Sequence, residues 1–254
     1  MAVKVALDPG HGGRDPGAVY EGRQEKDDAL DLALAVGEIL EENGVDVVYT
    51  RTTDVYDTPY EKAVIANNSG ADFFVSFHRN AAARPGMGTG AEILVYPGKE
   101  EARELGESIL AQMTEVGFED RGITDRPNLV VLKRTKMPAV LIEAGFIDTE
   151  SDNALFDEEF DALAQGIADG ILAVVNEDGS VPERKLYRVQ VGAYKNNANA
   201  NRQLNTLVRA GFPAYVIYED GLYRVQVGAY AQLDNAVRME RELRRQGYNT
   251  FITT

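Results

Sequence analysis

The 254-residue chain has no cysteine and only two histidines. Without cysteine there is neither a disulfide nor a thiolate metal site, so any transition-metal site must use His, Asp or Glu. No apolar run approaches the roughly 20 residues of a membrane span. The opening stretch MAVKVALDPG carries a single Lys and a short apolar run that stops at Pro9. It lacks the basic and apolar regions of a secretory signal, so the expectation is synthesis in the cytoplasm without a recognisable signal peptide. A phosphate loop is set aside too, because no Gly-Lys-Ser/Thr follows the glycine turn Gly10–Gly13.

What is present is the composition of an ordinary soluble globule, 44% hydrophobic and 26% charged. The net charge of −15 is unevenly spread. Residues 1–180 hold 15 Lys and Arg against 35 Asp and Glu, a balance of −20, whereas residues 181–254 hold 11 against 6, a balance of +5. Such asymmetry points to two modules with different partners, and the acidic first module argues against nucleic acid as its ligand. The polar stretch Asn176–Lys185, NEDGSVPERK, has no hydrophobic period and reads as a linker between a module at 1–175 and another at 186–254.

The second module contains a repeat. YRVQVGAY occurs at Tyr187–Tyr194 and again at Tyr223–Tyr230, a period of 36 residues. Each copy leads into a helical pattern and a further strand, and Asp220-Gly221 supplies a hairpin turn, which gives a βαββαβ unit with both helices on one face. Strict alternation sends Tyr187, Val189, Val191 and Ala193 to the helix side. It leaves Arg188, Gln190 and Tyr194, with Arg224, Gln226 and Tyr230 from the second copy, on the open side. That surface is either a solvated polar face or, as its duplication favours, a binding face.

The first module alternates strands and helices: VKVALD, a helix ending at Glu42–Gly44, VDVVYT, the helical YEKAVIANN, DFFVSFH, AEILVYP, a helix over Lys99–Val116, LVVL as a strand, PAVLIE, and a last helix from about Asp157 to Asn176. This is an α/β pattern, a twisted and mostly parallel sheet with helices on both faces. Ligands gather at the carboxyl ends of strands in such folds, where His11, His78 and Glu143 fall. Glu25 opens the helix after the glycine turn and can fold back beside His11. Two imidazoles and a carboxylate suit a hydrolytic metal with an open position, leaving Glu143 as a general base. Taken singly, each histidine also fits a satisfied core position, and Glu25 a helix N-terminal acid. Glu143 follows Pro-Ala-Val-Leu-Ile, so it is nearly buried and needs a partner or a task.

Two resemblances follow from these motifs. YRVQVGAY in a βαββαβ frame resembles the SPOR domain over Leu186–Thr254, which implies a ferredoxin-like fold that binds peptidoglycan glycan strands lacking stem peptides. DPGHGGRDPGA, QEK, SFHRNAA, GAEILVYP and MPAVLIEAGFIDTESD, in this order, are similar to the zinc-dependent N-acetylmuramoyl-L-alanine amidases of the Amidase_3 family, over residues 3 to about 175. That resemblance implies a Zn²⁺ ion on His11, Glu25 and His78, Glu143 as the catalytic glutamate, and cleavage of the amide between N-acetylmuramic acid and L-alanine. The site of action it implies is the cell wall, reached by lysis or another non-classical release.

The chain departs from that family at several positions. Phe77 and Arg79 flank the second histidine where Ile and a small residue are more common, Lys62 stands for a common Arg, and Pro59 for a frequent Leu. Arg79 is a candidate contact for a substrate carboxylate. Some relatives block their zinc with an inserted helix, but Ala81–Thr89 is too short to supply one, so an open site is expected. The competing functions are a zinc peptidase acting within the stem peptide and a non-catalytic wall-binding protein.

Overall fold

Val5 and Leu7 bury on one side of the first strand, β1 (Lys4–Pro9), and Ala6 buries on the other, so both faces of this strand are covered. The computed structural model describes residues 3–175, 187–219, 221–230 and 233–253, and the chain divides into two units, Met1–Pro182 and Glu183–Thr254. The expected linker lies outside the described residues.

After β1 the first unit continues through a short hairpin, β2 (Val19–Tyr20) and β3 (Arg23–Gln24), then α1 (Glu25–Glu42), β4 (Asp46–Tyr49), α2 (Pro59–Ser69) and β5 (Phe73–Asn80). It ends with β6 (Ala91–Val95), α3 (Glu100–Val116), β7 (Asp120–Asp125), α4 (Val130–Arg134), β8 (Ala139–Phe146), α5 (Glu150–Glu158) and α6 (Phe160–Val175). The sheet order is β4-β1-β5-β8-β6-β7. The strands β4, β1, β5 and β8 are mutually parallel, while β6 runs antiparallel to β8 and carries β7 with it. The sheet is therefore mixed, with helices on both faces.

Local sequence explains the helices that frame the site. Glu25, Asp27 and Asp28 occupy the first turn of α1, where the helix dipole favours acids, and Ala29, Leu32, Ala33, Val36 and Leu40 recur at helical spacing to make its buried stripe. The helix α2 opens with Thr58 and Glu61 in a reciprocal capping box, with Pro59 at its first position, and closes on Gly70 at φ 70°. One core packs α1, α3 and α6 against Val5, Leu7, Val75, Phe77, Ile93 and Ile142; the other packs Ala66 of α2 and Val131 and Leu132 of α4 against Ala6, Phe74, Leu94 and Leu141.

One sequence expectation changes. LVVL forms the entry and first turn of α4, because a four-residue apolar run fits a helix as well as a strand and here it closes over the second core. The sixth strand is instead Asp120–Asp125, a sheet edge bonded only to β6 and correspondingly polar. The last helix, α6, lies close to its expected bounds, and α5 precedes it as a separate helix ending before Glu159.

The second unit runs β9 (Tyr187–Tyr194), α7 (Asn197–Arg209), β10 (Ala214–Glu219), β11 (Leu222–Tyr230), α8 (Leu233–Arg245) and β12 (Phe251–Thr253), with sheet order β10-β11-β9-β12. Ala200 and Leu207 of α7 and Ala236 and Leu243 of α8 share one core with Val189, Val225 and Val227, so both helices cover the same face.

Candidate metal centre

The turn after β1 holds His11 at φ 57°, a left-handed conformation that is costly for a residue other than glycine. The neighbouring carbonyls explain how it persists. The buried Arg51 guanidinium donates to Pro9 O at 3.1 Å, to Gly10 O at 2.7 Å and to Lys26 O at 2.8 Å, which ties the turn to the first residues of α1. Lys62 Nζ also donates to Pro9 O and pairs with buried Asp8 at 3.0 Å. Asp8 accepts from Thr50 Oγ1 and Ser76 Oγ at 2.6 and 2.7 Å, so this interior charge is fully engaged.

On that support His11, Glu25 and His78 converge, with one ligand atom from each lying within 4.8 Å of the others. Glu25 Oε1 is 3.1 Å from His11 Nε2 and 2.7 Å from His78 Nδ1. Its Oε2 accepts from Ala18 N at 2.8 Å, which aims the carboxylate. Asp15 Oδ2 lies 2.9 Å from His11 Nδ1, so the imidazole is oriented from behind by a carboxylate. Gly10 is obligatory, since a Cβ there would stand 2.4 Å from His78 Cε1. Gly17 is likewise confined, its missing Cβ lying 2.5 Å from Glu25 Oε2. The sequence showed glycines near His11; only the fold shows that two of them make room for the other two members of the cluster.

Charge is balanced inside this cluster. Burial opposes ionisation of Glu25, but hydrogen bonds and charge from His11 and His78 outweigh it and hold the carboxyl well below its usual range. Burial likewise disfavours protonated His11, yet Glu25 and Asp15 together raise its pKa to about 8.

Glu143 stands beside His78 in the β5–β8 register and opposite Glu92 in the β8–β6 register. Its Oε2 is buried without a hydrogen-bond partner among the described residues. Burial above all, reinforced by Glu25 and Glu92 and moderated by His78 and His11, pushes its pKa up to about 7, where a carboxylate can both take and return a proton. Glu92 accepts from Thr124 Oγ1 at 2.5 Å.

Arg79 does not reach toward solvent as a substrate contact must. It is 2% exposed, because alternation along β5 sends it inward with Val75 and Phe77; there it meets Asp28 at 2.6 Å and Asn153 at 2.8 Å.

In the second unit the register corrects the expected binding face. Gln190 pairs with Gln226, but Gly192 pairs with Val225, so β9 bulges at Val191, and β11 bulges at Gly228, whose φ is 70°. Each bulge shifts the alternation by one residue. Tyr194 and Tyr230 thereby join the helix-side core, Tyr230 folding over Gly228 and Tyr194 over Gly192, while Ala193 turns outward. The opposite face carries a row of Tyr215, Gln226, Gln190 and Phe251 across all four strands, flanked by Arg188 and Arg224. Gln226 Oε1 is buried and has no partner among the described residues. Tyr215 and Phe251 escaped the sequence reading because they lie outside the repeated octapeptide. Asp15, Arg51 and Glu92 escaped it because their partners are distant in the chain or hidden by the turn.

Comparison with known proteins identifies the family of each unit. Residues 5–173 match the N-acetylmuramoyl-L-alanine amidase family and residues 183–254 match the SPOR domain. A sporulation-specific N-acetylmuramoyl-L-alanine amidase of Bacillus subtilis (strain 168) is 41% identical over 224 residues, covering 86% of each chain. The endolysin of Bacillus phage SPP1 is 37% identical over 199 residues, 73% of this chain and 72% of that one. The crystal structure of an N-acetylmuramoyl-L-alanine amidase from Clostridium difficile 630 has a TM-score of 0.66 and 36% identity, over 69% of this chain and 98% of that one. A family match along most of the chain, on a fold that a solved amidase shares, makes this protein a member of the N-acetylmuramoyl-L-alanine amidase family with a C-terminal SPOR domain.

Proposed function

We propose that the chain hydrolyses the peptidoglycan amide between the lactyl group of N-acetylmuramic acid and L-alanine of the stem peptide. The observation that carries this is the convergence of His11, Glu25 and His78 with the unpartnered Glu143 oxygen on the neighbouring strand. Two imidazole nitrogens and one carboxylate are a donor set for zinc, and Asp15 behind His11 supplies the outer carboxylate such a site uses. When bound there, a divalent ion lowers the pKa of water and polarises the scissile carbonyl. Glu143, with its pKa near 7, takes the proton from the attacking water and returns it to the leaving amine of L-alanine. In this reading residues 1–175 form the catalytic domain, 176–185 the linker and 186–254 the wall-binding domain.

The second domain, in the same reading, holds glycan strands on the face where Tyr215 and Phe251 lie, with the arginines Arg188 and Arg224 beside the buried Gln190 and Gln226. Aromatic rings stack on sugar faces, and arginine side chains bond hydroxyls, while the buried glutamines support the strands from beneath. The segment Ala81–Thr89 carries no helix and is fastened by Asp148 to Ala82 N and by Thr149 to Gly88 O, which supports a site that needs no activator.

The test is mass spectrometry of purified peptidoglycan digested by the protein, with and without chelator followed by zinc. Free stem peptides beginning with L-alanine, alongside intact glycan and abolished by chelator, are expected. Shortened stems still attached to muramic acid would reassign the protein as a peptidase, and tight wall binding without products as an inert binding protein.

A further inference from the structure

Asp28 lies three residues after Glu25, on the same face of α1, and Arg79 directly follows His78 in β5. These neighbours of two cluster members meet each other: Arg79 Nη1 is 2.6 Å from Asp28 Oδ2, with side chains 1% and 11% exposed. The same peptide unit is joined to the helix a second time, since Arg79 N donates to Glu25 Oε1 at 3.2 Å. Arg23 Nε reaches the same Asp28 oxygen at 2.7 Å, and the guanidinium of Arg79 lies 4.1 Å over the ring of Phe156. Burial lowers the Arg79 pKa to about 10, so the guanidinium stays charged at neutral pH. A charged pair this dry is costly to assemble and costly to break from one side. It is placed where a shift of α1 against β5 would move Glu25 relative to His78.

We propose that the buried pair Arg79–Asp28 is a positioning device for the metal centre, fixing the spacing between the strand that bears His78 and the helix that bears Glu25, and so setting affinity for a divalent ion. The inference rests on the metal reading above. Neither residue touches substrate in it. Asn153, the other partner of Arg79, belongs to α5 and supports the arginine without linking two ligand-bearing elements.

The experiment uses the full chain, stripped with chelator and titrated with Zn²⁺ against a chromophoric competitor, alongside thermal unfolding of the metal-free protein. Arg79→Met keeps the apolar stem over Phe156 and removes the charge; a loss of tenfold or more in zinc affinity is expected, as for other outer-shell partners. Arg79→Lys, which restores charge toward Asp28, is expected to recover most of that loss and serves as the readout if Arg79→Met does not fold. Asn153→Ala should lower the unfolding temperature and leave zinc affinity unchanged. If Arg79→Met and Arg79→Lys are destabilised but bind zinc like the native chain, the pair is merely structural and the proposal is overturned. Failure of the native chain itself to bind zinc, or binding undiminished by His11→Ala, removes the metal reading and this proposal with it.

Discussion

Asp15 Oδ2 lies 2.9 Å from His11 Nδ1, and the opposite ring nitrogen, Nε2, faces Glu25 Oε1 at 3.1 Å. The carboxylate behind the ring thus fixes which nitrogen is presented to the cluster. Asp15→Asn keeps the shape but removes the charge that makes the imidazole a better ligand. Zinc affinity should fall about 10- to 100-fold, measured by competition titration; an unchanged affinity would show that His11 is oriented by its turn alone.

Glu143 has a buried oxygen with no partner among the described residues and a pKa of about 7. Glu143→Gln removes the proton acceptor while leaving His11, Glu25 and His78 in place. Turnover should drop by about 10²- to 10⁴-fold, the usual worth of a general base, with zinc content by atomic absorption unaltered. Substantial residual turnover would falsify the assignment.

Removing the metal should expose a pH dependence in stability. His11 in the metal-free fold has a pKa near 8 against an ordinary 6.5. The proton it holds therefore stabilises the fold fully below pH 6.5, and that contribution is lost as pH rises through about 8. Glu25, held low, contributes in the opposite sense, with a loss confined to strongly acidic solution. Glu143, raised from 4.5 to about 7, adds a loss of the same sign as pH rises through about 7. The unfolding temperature of chelated protein should fall between pH 6.5 and 8, and His11→Gln should make that fall shallower. A native profile as flat as the variant's would contradict the charge balance described for this cluster.

The two faces of the second unit make a paired prediction. Phe251, half exposed beside Gln190, lies on the open row, whereas Tyr194 packs with the helices. Phe251→Ala should weaken binding of the chain to glycan strands stripped of stem peptides, and Tyr194→Phe should leave it unaltered, both read by co-sedimentation. The reverse result would return the binding face to the strict alternation of the repeat.

Much of this protein is legible in its sequence because the signals are local. Periodicity places β1, α1, β5 and β8, glycine and histidine mark the turn after β1, and the 36-residue repeat announces the βαββαβ unit. The residue types at positions 11, 25, 78 and 143 already define a donor set and a spare carboxylate. Short runs are another matter, since the apolar LVVL becomes a helical turn over the second core and the polar DRGITD supplies the edge strand.

Only the tertiary structure decides what lies between distant segments. Arg51 reaches Gly10 and Lys26, Arg79 reaches Asp28, and Gly10 clears space for His78, all across 25 to 68 residues of chain that no pattern in one segment encodes. The bulges at Val191 and Gly228 are equally invisible, because a strand's alternation can be read from its sequence but a one-residue shift in pairing is set by its partner. Sequence determined which groups could do the chemistry; packing decided which of them meet, which are buried as supports, and which face of the repeat is left open.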